Sequence, residues 1–361
     1  MGDLSRRELL QALGLAAVAA PMAAFAQGRC GGARAGTPEC NTTPFKMPFE
    51  PTGWKTVLLD HFSMQVAEPE KEAAFYSAVV GWKVRSSDGN KIVMDIGSLG
   101  SAIIRGGFKE QPAPAPAPRG GDAAARGGRG GGPPRPPRRA VWDNFCWGIE
   151  PWDTKKVEAE LMKRHLNPVA DHNPKENFFS FHVKDPDGFD LQLSNGNKKN
   201  RPKTAANGKL TVPPPFEPTG WQTIYLDHIS FEVTSYKETV AFYQALLGWV
   251  PTGDEGSQND TTISPEIGRV LIRGGNANAP GGVGNAPRRA QMGHVAFDIA
   301  DFDPDKVKEG LLKRGLTARE DTGATDDSPP AEKDIHTSTH KSYHTFTPNG
   351  YDLQISYKAR T

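Results

Sequence analysis

Two histidines, a glutamine and several carboxylates fall on alternate positions of three short segments in the C-terminal half of this 361-residue chain. In Asp227–Val233 the apolar Ile229, Phe231 and Val233 alternate with His228, Ser230 and Glu232. In His294–Ile299, Val295, Phe297 and Ile299 alternate with His294, Ala296 and Asp298. In Tyr351–Ser356, Tyr351, Leu353 and Ile355 alternate with Asp352, Gln354 and Ser356. Alternation with period two marks half-buried strands whose apolar side packs on a helix. Curling the three strands into one sheet gives a polar concave cup. Imidazole nitrogen suits borderline divalent metals, and amide or carboxylate oxygen suits harder ones. The chemistry expected of the cup is therefore metal binding. Glu232, two strand positions beyond Ser230 on the same face, is the candidate general base.

Other tempting groups have plainer explanations. His336, His340 and His344 have helical i, i+4, i+8 spacing, but they follow a loop rich in Asp, Pro and Ser and lead into a strand. They are read as strand and loop residues, from which His340 or His344 can reach the cup as acid–base groups. His182 is the earlier counterpart of His344. Asp185-Pro186-Asp187-Gly188 and Pro348-Asn349-Gly350 have the composition of turns. Trp54 and Trp221 are read as packing residues.

The elements that must position these residues occur twice. Pro48-Phe49-Glu50-Pro51-Thr52-Gly53-Trp54 recurs as Pro215-Phe216-Glu217-Pro218-Thr219-Gly220-Trp221, and Leu59-Asp60-His61 recurs as Leu226-Asp227-His228. Phe75-Tyr76 and Gly81-Trp82 recur as Phe242-Tyr243 and Gly248-Trp249, and Asp190-Leu191-Gln192 as Asp352-Leu353-Gln354. This is a tandem duplication. Each copy divides again. Ser235 with Glu238 predicts a capping box, and the helix it opens ends at Leu247 before Gly248. A second helix opens at Asp303-Pro304. The first copy reads likewise, with strand Asp60–Val66, helix Glu70–Val80, strand Phe145–Ile149, helix Thr154–His165, and strands Phe178–Val183 and Phe189–Ser194. The order β-α-β-β-β recurs four times, an α+β fold of two tandem modules, each a curved mixed sheet. Residues 48–196 form the first module, 197–214 a polar, Pro-rich linker and 215–361 the second module. Gly/Pro/Arg-rich crossovers, 106–139 and the shorter 274–289, join the halves of each module; they read first as solvated, flexible or polyproline-like spacers, with an arginine clamp for an anionic ligand or mobile flaps over the cups as the functional alternatives.

The first strand Leu-Asp-His-Ile-Ser-Phe-Glu-Val, the helix with Ala-Phe-Tyr and a Gly-Trp end, the Gly-His-Val-Ala-Phe segment and the closing Pro-Asn-Gly-Tyr-Asp-Leu-Gln resemble the vicinal oxygen chelate superfamily. That group holds glyoxalases, bleomycin-resistance proteins and extradiol dioxygenases. The resemblance implies metal ligands at His228, His294 and Gln354. The superfamily carries Glu at the third position, and Gln brings no negative charge, so Asp352 is a further candidate ligand on the same face. The equivalents in the first copy, His61, Asn144 and Gln192 with Asp190 nearby, make a degenerate site. The carboxylate of glyoxalase I-type sites is missing from Arg269–Arg273. Two functions follow as expectations. One is a divalent-metal enzyme using Fe, Mn, Zn or Ni, dioxygenase-like or lyase/isomerase-like, acting on a small oxygen-rich substrate in the C-terminal module. The other is a metal-free protein that binds or sequesters a small molecule, as bleomycin-resistance proteins do.

Composition narrows the partners. Forty-three Lys and Arg against 42 Asp and Glu leave a net charge of +1, so no global field points to nucleic acid. Beyond the N-terminus no apolar stretch approaches the roughly 18 residues of a membrane span. Ser5-Arg6-Arg7-Glu8-Leu9-Leu10, the apolar run Leu13 to Phe25 and the small-x-small site Ala24-Phe25-Ala26 resemble a twin-arginine export signal over residues 1–26. That implies engagement of the twin-arginine export machinery and a periplasmic or secreted mature chain, beginning with the segment 27–47. An oxidising compartment permits a Cys30–Cys40 disulfide and leaves Cys146 unpaired inside an apolar strand.

Overall fold

A computed structural model describes residues 45–109, 137–201, 207–254, 258–274, 290–324 and 328–358. The export segment, Cys30, Cys40 and most of both Gly/Pro-rich crossovers lie outside these residues. The first copy runs β1 (Lys55–Val66), α1 (Pro69–Val80), β2 (Lys83–Ser87), β3 (Lys91–Ile96) and β4 (Gly100–Arg105). It continues with β5 (Ala140–Glu150), α2 (Thr154–Lys163), β6 (Val169–Asn173), β7 (Phe178–Lys184) and β8 (Asp190–Ser194). The second runs β9 (Thr223–Glu232), α3 (Tyr236–Leu247), β10 (Val250–Asp254), β11 (Gln258–Ser264) and β12 (Gly268–Arg273). It closes with β13 (Gln291–Ile299), α4 (Pro304–Leu312), β14 (Arg319–Asp321), the short α5 (Pro330–Lys333), β15 (His340–Phe346) and β16 (Asp352–Lys358).

Each copy forms one eight-stranded mixed sheet, β2-β3-β4-β1-β5-β8-β7-β6 and β10-β11-β12-β9-β13-β16-β15-β14. The two halves of each sheet meet along an antiparallel pair, β1 with β5 and β9 with β13. The expected β-α-β-β-β units are therefore present, with one difference. The edge strands β6 and β14 carry no apolar alternation: every residue of β6 is exposed, so the hydrophobic pattern that betrays a strand is absent there. Helix α3 opens with Ser235 Oγ accepting from the Glu238 amide and closes at Gly248 with φ of 68°. Helix α2 stops at Lys163, two residues before its expected end, and His165 takes a left-handed φ of 59°.

The modules lock to each other through matched residues. Trp82 Nε1 donates to Thr223 Oγ1 at 3.0 Å, and Trp249 Nε1 donates to Thr56 Oγ1 at 2.9 Å. Each indole stacks on the tyrosine of its own helix, Tyr76 or Tyr243. A buried indole removes on the order of 200 Å² from water, about 5 kcal/mol of hydrophobic stabilisation. The two turns expected from Asp185-Pro-Asp-Gly and Pro-Asn-Gly also cross between modules. Tyr243 Oη donates to Asp185 Oδ2 at 3.2 Å, and the Thr234 amide donates to Asp187 Oδ2 at 2.9 Å. In the opposite direction Asn349 Nδ2 donates to the buried Glu72 Oε2 at 2.8 Å. On the polar face of the second sheet His228, His294 and Gln354 are buried.

Candidate functional site

Strict alternation would send Asp227 to the apolar side, away from His228. A register shift in the β9–β13 ladder skips it: Ala296 pairs with His228, and Phe297 pairs with Leu226. The bulged Asp227 turns toward its neighbour and accepts a hydrogen bond from His228 Nδ1 at 2.7 Å. A bulge adds one residue and re-aims a side chain in this way. The same shift occurs in the first copy, where Asp60 is skipped and accepts from His61 Nδ1 at 3.0 Å.

A carboxylate accepts only, so Asp227 fixes the proton of His228 on Nδ1 and leaves the Nε2 lone pair facing the cup. His228 Nε2 and His294 Nε2 stand 2.8 Å apart. Neighbouring ligands at about 2.1 Å from one ion and at right angles stand about 3 Å apart, so this pair can grip a divalent cation. Gln354 lies in the adjoining row, its backbone paired with Ala296, which itself pairs with His228. Its Nε2 donates to Ser342 Oγ at 2.7 Å, and its Oε1 is buried with no hydrogen-bond partner. A buried carbonyl oxygen without a donor is costly unless something electropositive completes it. The donor set therefore fits a divalent ion, with Gln354 Oε1 as the neutral oxygen.

The other expected residues are placed differently. Asp352 Oδ1 accepts from His344 Nδ1 at 2.8 Å, while Asp321 Oδ2 lies 3.1 Å from His344 Nε2. His294, His344 and Asp352 nevertheless have ligating atoms within 4.8 Å of one another, so Asp352 borders the centre through His294. Glu232 ends β9 four residues beyond His228 and two beyond Ser230, the cross-strand partner of His294, and accepts from Gln291 Nε2 at 2.6 Å. Asp298 is buried and accepts from Ser356 Oγ at 3.0 Å. His340 begins β15 with its ring centroid 6.4 Å from that of His228, whereas His336 is exposed between Asp305 and Asp334.

Electrostatics separates the histidines. Burial, then the neighbouring His228 and His344, hold His294 well below the usual imidazole range, which keeps it neutral. Burial also lowers His340, to about 4, against the pull of Asp227. Burial lowers His344 too, but hydrogen bonds to Asp321 and Asp352 outweigh it and raise the group. For Asp227 burial raises, yet His228, Arg269 and His340 together hold its carboxyl far below the usual range. Arg269 completes that support, with Nη2 on Asp227 Oδ1 at 3.0 Å and Nη1 on Asp260.

The first cup has the same frame and a different centre. His61, Asn144 and Gln192 occupy the three expected places. Asn144 Nδ2 donates to Gln192 Oε1 at 3.1 Å, so the glutamine that is orphaned in the second cup is satisfied here. Gln192 Nε2 donates to Ser180 Oγ at 2.8 Å, matching Gln354 on Ser342. The Asp–His–Asp clamp is also repeated, with His182 Nδ1 2.8 Å from Asp190 and Nε2 3.6 Å from Asp171. Cys146 is buried at the place of Ala296, and burial pushes its thiol up. The residues that alternation could not find are Asp60, Asp171, Asp227, Arg269 and Asp321. The bulges hide the first and third, and the patternless edge strands hide Asp171 and Asp321. The signal available was the repeat itself, since Asp60 and Asp227 occupy matched positions.

No protein-family model matches the sequence, and no curated protein does. Solved structures do match. The chain is similar to the Mn(II)-bound glyoxalase of Novosphingobium aromaticivorans, at 12% identity and a TM-score of 0.51 over 84% of this chain and 82% of that one. It is similar to the 2,3-dioxygenase LapB of Pseudomonas sp. KL28, at 14% identity and a TM-score of 0.53 over 85% and 94%. The homoprotocatechuate 2,3-dioxygenase of Brevibacterium fuscum, in complex with 3,4-dihydroxyphenylacetate, matches at 15% identity and 0.53 over 88% and 84%. These likenesses show the fold alone, an α+β chain of two tandem mixed-sheet modules.

Proposed function

We propose that the second module is a divalent-metal enzyme acting on a small oxygen-rich molecule, with the ion held by His228 Nε2, His294 Nε2 and Gln354 Oε1. The observation that carries this reading is the buried, unpartnered Gln354 Oε1 in the row beside two facing imidazole nitrogens. A bound divalent ion would supply Lewis acidity toward two neighbouring substrate oxygens. The chain's own groups do the rest. Asp227 orients His228 and adds the negative charge that the glutamine lacks. His344, with both ring nitrogens held by carboxylates, is fixed against the His294 ring and positions it. His340, kept neutral by burial, can accept a proton. The acid–base role falls to His340 on β15 or to Glu232 at the end of β9.

The direct contact between His228 and His294 also supports a second reading, in which an N–H···N bond closes the cup without an ion and the module only binds. Metal content decides between them. Protein purified from export-competent cells, with its native metal retained, should hold about one equivalent of Fe, Mn, Zn or Ni. The His228→Ala/His294→Ala double variant should hold none. A wild-type chain that stays metal-free after reconstitution with each ion removes the enzyme reading. Export belongs to the same proposal. An Arg6→Lys/Arg7→Lys variant should remain in the cytoplasmic fraction, and unchanged fractionation would refute that part alone.

A further inference from the structure

The first cup encloses a cavity of about 460 Å³, lined in part by His61, Lys91, Arg105, Asp143, His182 and Gln192. Its rim differs from that of the second cup along one row. Gln65 pairs with Arg105 across β1 and β4, and Arg105 pairs with Lys91 across β4 and β3. The matching row of the second cup is Glu232, Arg273 and Gln258. The second row balances its arginine with a glutamate. The first replaces the glutamate by a neutral amide and adds a lysine directly opposite the arginine. Like charges opposite each other on neighbouring strands are destabilising unless an anion lies between them.

Asp143 answers only part of that charge. It accepts from Arg105 Nη2, whereas Arg105 Nε is buried without a partner. Lys91 has Asp88 as its acidic neighbour, on the turn that leads into β3, and among the described residues its ammonium closes no ion pair. The remaining carboxylates of the cup lie on the opposite half and are engaged: Asp190 by His182 and Lys184, Asp171 by His182 and Gln192. At the floor the Asn144–Gln192 pair is closed, and His61, with its Nδ1 proton on Asp60, presents the Nε2 lone pair to the cavity. A cationic rim on one side and a hydrogen-bond acceptor below it describe a ligand with an acid group at one end and a hydroxyl at the other.

We infer that the first cup is a second, metal-independent site that binds a small hydroxylated carboxylic acid, its carboxylate between Lys91 and Arg105 and its hydroxyl on His61 Nε2. The site is separate from the proposed metal centre, and its test is run with that centre removed. The full chain carrying His228→Ala/His294→Ala is titrated calorimetrically with L-malate, with the neutral diamide of malate and with inorganic phosphate. The inference expects saturable malate binding at one equivalent and none for the diamide. Adding Lys91→Gln should weaken it at least tenfold, Lys91→Arg should restore it, and Arg273→Gln in the other rim should leave it within twofold. Absence of malate binding, equal binding of the diamide or of phosphate, or indifference to Lys91→Gln overturns it.

Discussion

The two cups share a scaffold and differ at its centre. Both carry the bulged aspartate behind a histidine, the glutamine anchored on a serine and the histidine clamped by two aspartates. The cups differ where Cys146 replaces Ala296 and Arg201 binds Asp60, and most directly at the position of Asn144 and His294. Asn144 satisfies Gln192 and closes the first cup, whereas His294 in the same place leaves Gln354 Oε1 open and sets a second imidazole against the first. A single side chain thus converts an amide pair into a potential chelate without disturbing the frame. The frame that survives in both copies is a polar network, which orients groups whether or not an ion follows.

The largest effect should come from exchanging that position. His294→Asn should turn the second cup into a copy of the first and abolish stoichiometric metal, a loss of at least a hundredfold in affinity read by metal analysis. Asn144→His should add a weaker second equivalent; if it adds none, Cys146 or the Arg201-bound Asp60 has altered the first cup beyond this one residue.

The next contrast lies in the crossing turns. The first module's turn carries the acid, Asp185, whereas the second module's turn carries Thr347 and Asn349 and meets an acid on the receiving helix, Glu72. Burial raises Asp185 to about 7, and burial raises Glu72 as well. A carboxyl raised in the folded state is favourable protonated. Its full stability is present below the unfolded value and is lost as pH rises toward the folded one. Denaturation should therefore show stability falling from about pH 4 to pH 7, by on the order of 4 kcal/mol for Asp185. Asp185→Asn should flatten that slope, and Glu72→Gln should flatten what remains; a slope unchanged in both variants contradicts the assignment.

Asp227→Asn should weaken metal binding tenfold to a hundredfold while retaining the fold, because the amide no longer enforces the His228 tautomer. The matched Asp60→Asn should leave metal content unchanged. The smallest effect is expected at the module interface. Thr56→Val and Thr223→Val each orphan one indole N–H and should cost about 1–3 kcal/mol apiece in chemical denaturation. Unequal costs would show that the pseudo-symmetry of the interface is geometric and not energetic.

The sequence by itself determined the duplication, the four β-α-β-β-β units, the helix caps and the residues of the cup face, because period-two alternation, Ser/Glu capping and Gly termination are local rules. It also placed His228, His294 and Gln354 on one face. Only the tertiary structure decided which of the other polar groups belong to them. The bulges at Asp60 and Asp227 break the alternation on which the reading depended, and they turn these carboxylates toward the histidines. The edge strands β6 and β14 carry Asp171 and Asp321 without any apolar partner to mark them. Glu232 shares a face with His228, but the register sets it opposite Gln291, since a shared face fixes direction and not distance. Local pattern fixes which side of a strand a residue occupies; which side chains meet across strands depends on register, and register is set by the packed sheet as a whole.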